Sequence, residues 1–190
     1  MNTRKFMSML AIASLIMASC SNDDDNPAPV NEEELITTLT ITLTSGTETI
    51  TLKSFDEDGA DGPTAPEITV SGPLKVNTTY TGAITLLNES ENPAENINEE
   101  IEEEADEHQF FYETASSLNA TTAYTDTEAD YPPLTGTNPV GLTFSLTTTD
   151  AGTGAFTVTL RHQPKKPNNG TLSDAGGDTD ITQSFNLTIQ

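Results

Sequence analysis

Seven acids and one histidine form the densest set of potential metal ligands in this chain. Glu99, Glu100, Glu102, Glu103, Glu104, Asp106 and Glu107 run directly into His108. If the run is helical, Glu100, Glu104, Glu107 and His108 lie three or four residues apart on neighbouring turns. Two carboxylates and an imidazole can then face one cation. Carboxylates alone favour Ca2+, whereas an added imidazole favours Zn2+ or another transition metal. The second histidine, His162, shares parity with Phe156, Val158 and Leu160, so it points to the core side near a strand end. One reading pairs it with His108 in a two-histidine metal site. The alternative is a semi-buried histidine with its hydrogen bonds satisfied, beside an acid run that is simply a wet face with His108 opening a strand.

A second set is weaker. Asp56-Glu57-Asp58-Gly59-Ala60-Asp61-Gly62 places oxygens at alternating positions with glycines for a turn, as Ca2+ loops do. Asp56, Asp58 and Asp61 are the candidate ligands. The glycine falls one position late for an EF-hand, and Pro63 and Pro66 oppose that geometry, which leaves a looser inter-strand site or a plain turn. Asp174-Ala175-Gly176-Gly177-Asp178-Thr179-Asp180 is another acidic, glycine-rich loop. Lys165-Lys166 is the one basic cluster after the N-terminal segment, and either attracts an anion or decorates a loop. Catalysis has little support: there are two histidines, one cysteine, no Gly-x-Ser-x-Gly and no tryptophan for sugar stacking. The chain is expected not to be an enzyme.

The elements that position these residues are strands. Leu39, Ile41 and Leu43 alternate with Thr40 and Thr42; after Ser45-Gly46, Ile50 and Leu52 alternate with Thr49 and Thr51, the mark of a hairpin. Ile68 and Val70 make a short strand stopped by Gly72-Pro73. Residues 79–87 make another, with Gly82 suggesting a bulge or bend. His108 to Ser117 reads as an aromatic-rich central strand. Leu142, Phe144 and Leu146 are expected to pair with Phe156, Val158 and Leu160 across the loop at 150–154, and Ile181, Phe185, Leu187 and Ile189 form the last strand. Threonine makes up about one residue in six and mostly interleaves with apolar residues. The expected fold is mainly β: a single antiparallel, immunoglobulin-like β-sandwich over 35–190. One exception is a short acidic helix over about 93–106, opened by Asn92-Pro93 with Glu95 three after the cap, and striped by Ile97, Ile101 and Ala105.

Charge narrows the partners. The full chain carries a net charge of -23. Removing residues 1–19 removes two basic residues and no acids, leaving a net charge near -25. Such a polyanion cannot neutralise phosphates, so nucleic acid is excluded as a partner, as is direct docking on anionic lipid. Divalent cations are the favoured ligands.

The N-terminus supplies an address. Arg4 and Lys5 precede an apolar run from Phe6 to Met17, too short to span a bilayer, and Ala18-Ser19 lead to Cys20, the only cysteine. This segment resembles a bacterial lipoprotein signal ending in a lipobox. The resemblance implies cleavage after residue 19 and acylation of Cys20, with Ser21 at the position where a retention signal would favour Asp, hence the outer membrane. Ser21, Asn22, Asp23, Asp24 and Asp25 resemble the surface-export signal of Bacteroidetes lipoproteins. Residues 20–34 would then form the lipidated cysteine and a disordered acidic tether. With Cys20 acylated, no disulfide remains available to the domain.

The chain beyond it is similar to small flavobacterial lipoproteins commonly labelled "type 1 periplasmic binding fold superfamily protein". The resemblance rests on Asn31 to Leu39, on Asn98 to Gln109, on Leu160-Arg161-His162 and on Ala175 to Asp180. It implies no particular activity. Together these readings describe a lipid-anchored, surface-exposed outer-membrane protein acting as a binding accessory for Ca2+ or a transition metal, beside a TonB-dependent transporter. The alternative is a structural or adhesive coat protein without a small ligand.

Overall fold

The computed structural model describes residues 35–59 and 62–190. The signal segment, Cys20, Ser21 to Asp25, the remainder of the tether to residue 34, and Asp61 lie outside the described residues. Strands β1 (Thr38–Ser45) and β2 (Glu48–Phe55) form the expected hairpin, turned at Gly46 with φ +61°. Its register sets Leu43 against Ile50 and Ile41 against Leu52, so one face of the pair is continuously apolar. On the other side β1 pairs with β4 (Thr79–Asn88). The larger sheet runs β3 (Glu67–Val70), β2, β1, β4, β8 (Thr143–Thr148), β7 (Ala120–Tyr124), with two-residue β5 (Glu95–Asn96) paired to β4. The smaller sheet is β10 (Asp178–Ile189), β9 (Gly152–His162), β6 (His108–Thr114). All strand pairs within both sheets are antiparallel. The domain is therefore the mainly β, sandwich-like fold that the alternation of two implies.

Both sheets feed one core. Leu39, Ile41, Leu43, Tyr80, Phe144 and Leu146 come from the larger sheet, and Phe110, Phe156, Val158, Phe185 and Leu187 from the smaller. Burial of such side chains contributes about 1.5–3 kcal/mol each. With Tyr112 and Phe144 centroids 4.3 Å apart and Phe144 and Phe156 6.0 Å apart, aromatic rings bridge the sheets. Hydroxyls meet across strands on the outer faces, as Thr79 does Thr147 at 3.1 Å and Thr157 does Ser184 at 2.6 Å.

Several local expectations are corrected. Strands β8 and β9 do not pair; they lie in opposite sheets. The glycines that suggested a hairpin turn serve a close approach instead. A Cβ on Gly152 would lie 2.4 Å from the Ser117 carbonyl oxygen, so β9 starts pressed against the turn at Ser116–Leu118. Strand β6 is an edge strand rather than central, because β9 lies between it and β10. Gly82 makes no bulge: register is unbroken through it, and its missing Cβ makes room for the Phe144 ring, whose Cζ lies 2.4 Å from where that Cβ would be.

The acidic helix is shorter and starts later than expected. Helix α1 spans Asn98–Glu103, and residues before it pair with β4. Asn98 holds this start, its Oδ1 accepting from Leu86 N at 2.7 Å and its Nδ2 donating to Ile84 O at 2.8 Å. The stripe itself is as expected: Ile97, Ile101 and Ala105 are all buried. No basic residue sits in the last turn to offset the glutamates, which shortens the helix.

Candidate metal centre

The two histidines meet because β6 opens with His108 and β9 closes with His162, and their antiparallel register sets them directly opposite. Their rings stack with centroids 4.5 Å apart and planes 18° from parallel. His108 is buried at 3% exposure. The turns after α1 deliver its partner: Glu104 N donates to Glu100 O, and Glu107 N to Glu104 O. The Glu104 carbonyl oxygen then lies 3.2 Å from His108 Nδ1. A carbonyl only accepts, so Nδ1 carries the hydrogen and Nε2 keeps its lone pair, the arrangement found behind metal-bound imidazoles.

The chain around His162 is fixed as firmly. Gln163 takes a left-handed φ of 49°, its N–H donating to Glu107 O at 2.6 Å and its side chain to Glu107 Oε2 at 2.9 Å. Glu107 Oε2 stands 3.8 Å from His162 Nε2. A Cβ on Gly177 would lie 2.4 Å from the His162 carbonyl oxygen, so the third strand closes on this corner only because a glycine is there.

Glu104, His108 and His162 each offer one ligand atom, all within 4.8 Å of one another. Two atoms bound tetrahedrally to one Zn2+ at about 2.0–2.2 Å lie about 3.3–3.6 Å apart, so the three side chains would have to draw together to close on an ion. Burial pushes the His108 pKa down to about 4, helped by the neighbouring His162 and Lys166 charges and opposed by its bond to Glu104. The imidazole is thus neutral at pH 7 and its lone pair is available. Partial desolvation and then repulsion from Glu100 and Glu107 raise the Glu104 pKa, the strain that a cation would relieve. Three protein ligands leave a fourth position open to water, to Glu107 or to a ligand carried by the ion.

Of the five residues expected to share a metal, Glu104, His108 and His162 come together and Glu107 borders them. Glu100 acts on Glu104 through its charge and is outside the ligand group. The helical spacing that suggested the set is not what assembles it: the helix ends before Glu104, and strand pairing supplies His162. Of the residues expected as a Ca2+ loop, Asp61 lies outside the described residues and Asp58 engages Thr64. Asp58 Oδ2 accepts from Thr64 N at 3.2 Å and Thr64 Oγ1 at 2.9 Å, closing a turn in which Gly59 has φ +75°.

The lysine pair is not a free anion site. Lys165 Nζ pairs with Asp174 at 2.9 Å. Lys166 turns inward to Glu128 Oε1 at 3.2 Å, with side chains only 6% and 4% exposed. Glu128 and the buried Asp126 were not singled out by sequence pattern; both stand in a polar stretch between strands where acids read as solvated.

No protein family, no curated protein and no solved structure matches this chain. Among the described residues no helix is long and apolar enough to cross a membrane.

Proposed function

We propose that this protein is a surface-displayed outer-membrane lipoprotein, anchored through an acylated Cys20, that captures a divalent transition-metal ion or its complex as a non-enzymatic accessory to a TonB-dependent transporter. The observation that carries the metal reading is the convergence of Glu104, His108 and His162 within 4.8 Å. Two imidazoles and one carboxylate favour Zn2+, Cu2+ or Ni2+ over Ca2+, whose sites are built from six to eight oxygens. An open coordination position suits capture and release better than a closed structural site does. The acids of α1 and the following turn surround the corner with negative potential, which raises the local concentration of cations.

Titration calorimetry on metal-stripped protein tests the reading. Zn2+ or Cu2+ is expected to bind with one-to-one stoichiometry, and His108→Ala and His162→Ala each to weaken that binding sharply. No heat and no Tm change with Zn2+, Cu2+, Ni2+ or Ca2+ would sink the metal reading. Incorporation of labelled palmitate, lost in Cys20→Ala, tests the anchor separately.

A second reading has its own observation. The histidine pair is already satisfied in part, by ring stacking and by the Glu104 carbonyl. A structural or adhesive coat protein would need no more than that. It requires the two histidine variants to retain every binding property of the parent.

A further inference from the structure

Two loops, one after β9 and one between β7 and β8, bring a lysine, a glutamate and an asparagine into one desolvated cluster. Lys166 lies in the loop between β9 and β10. Glu128 and Asn138 lie in the segment between β7 and β8, in the other half of the sandwich. Glu128 sits in a built cradle. Its N–H donates to Asn138 O at 3.0 Å, and Ala129 N to Gly136 O at 2.9 Å, which folds residues 136–138 back over it. A Cβ on Gly136 would lie 1.6 Å from Glu128 Oε2, so the carboxylate occupies the space that only glycine leaves. Asn138 Nδ2 donates to both carboxylate oxygens, at 3.1 and 3.2 Å. Lys166 Nζ approaches Oε1 of the same carboxylate at 3.2 Å and donates to Ala105 O at 2.6 Å. The amine and the carboxamide nitrogen therefore touch one oxygen between them, and are at most about 6 Å apart.

We infer that Lys166 and Asn138 form an intramolecular isopeptide bond, with Glu128 as the proton carrier. The chemistry is complete within the cluster. Glu128 takes a proton from the Lys166 ammonium, and the freed amine attacks Cγ of Asn138. A C–N bond forms between Nζ and Cγ, and the bond from Cγ to Nδ2 breaks. Both protons shed by Nζ pass through Glu128 to Nδ2, which leaves as ammonium. Nothing is oxidised or reduced, and no co-reactant is consumed. Desolvation favours the neutral amine at Lys166, against the pull of Glu128. Holding amine, proton carrier and carboxamide together supplies the high effective concentration such a step needs. The bond would tie the smaller sheet to the larger in a domain that has no disulfide to do so, and it stands apart from metal capture.

Intact-mass spectrometry of the folded, purified protein is the test. The expected mass is lighter than the chain's own by one ammonia, and proteolysis is expected to yield a branched peptide joining the segments around Lys166 and Asn138. Lys166→Arg keeps the charge and should restore the full mass. Asn138→Asp should instead lose one water on bond formation. A wild-type protein of unmodified mass overturns the inference whatever the variants do. So does loss of ammonia without the branched peptide, which would indicate deamidation chemistry at a single asparagine.

Discussion

Two polar clusters, one at the last residue of β9 and one four residues further on in the loop after it, handle charge in opposite ways. At the histidine corner, His162 and His108 stand beside exposed carboxylates, and the ligand atoms of Glu104, His108 and His162 converge. At the lysine clamp, Lys166 and Glu128 are withdrawn from water, and each polar atom is met: the ammonium by a carboxylate and a carbonyl, the carboxylate by ammonium and carboxamide. The chain is uniformly acidic, so charge count cannot distinguish them. What differs is lone pairs. The corner has a neutral imidazole and a carboxylate that its neighbours repel, a repulsion that a cation from outside would relieve. The clamp brings its own cation to the carboxylate, and the carboxamide held beside it is the group its amine would react with.

The largest expected effect falls on the clamp. Removing one member of a buried ion pair leaves the other charge desolvated, at a cost of about 3–5 kcal/mol. Glu128→Ala should lose that much stability in urea unfolding. Gly136→Ala should lose about 1–3 kcal/mol by forcing the carboxylate out of its cradle. Neither should change the stoichiometry of metal binding. If both variants unfold at the parent's midpoint, the clamp is not the closed unit described here.

The next effect separates the regions by pH. Folded His108 has a pKa near 4, against about 6.5 in the unfolded chain. The unfolded state therefore binds the extra proton between these values. The stabilisation is fully present above about pH 6.5, declines as pH falls, and is gone below about pH 4. The total is about 3 kcal/mol. Unfolding curves of metal-free wild type and His108→Gln, measured from pH 7 to 4, should converge by that amount. Parallel pH dependences would show that His108 titrates in the fold as it does in water.

The sandwich and most of its strands were legible because a period of two is a local signal: alternation in 39–43, 50–52 and 142–146 marks the inward residues directly. Strand pairing was less so. Alternation cannot tell a hairpin from two strands facing each other across a core, and this is why β8 and β9 were expected to pair. Part of the metal corner was readable, since His108 and the acid run are contiguous and His162 has core parity. Its true assembly depends on the register of β6 against β9, fifty-four residues away in sequence. The clamp was invisible for the same reason: Lys166, Glu128 and Asn138 carry no shared spacing, and a lysine in a polar loop reads as exposed until packing shows otherwise.

A smaller effect should grade the ligands within the corner. Once metal binding is established, His162→Ala should weaken Zn2+ by more than the roughly 10–100-fold that loss of a supporting residue costs. Glu107→Gln should fall within or below that range, because Glu107 reaches the corner through His162 and Gln163. Its exposed pairing with His162 should also contribute less than about 1 kcal/mol to stability. Calorimetric Kd values for the two variants rank them. If Glu107→Gln is as damaging as His162→Ala, Glu107 is a direct ligand and fills the open fourth position. If neither matters, then the stacked histidines at the corner belong with the clamp after all, as groups already satisfied by their neighbours.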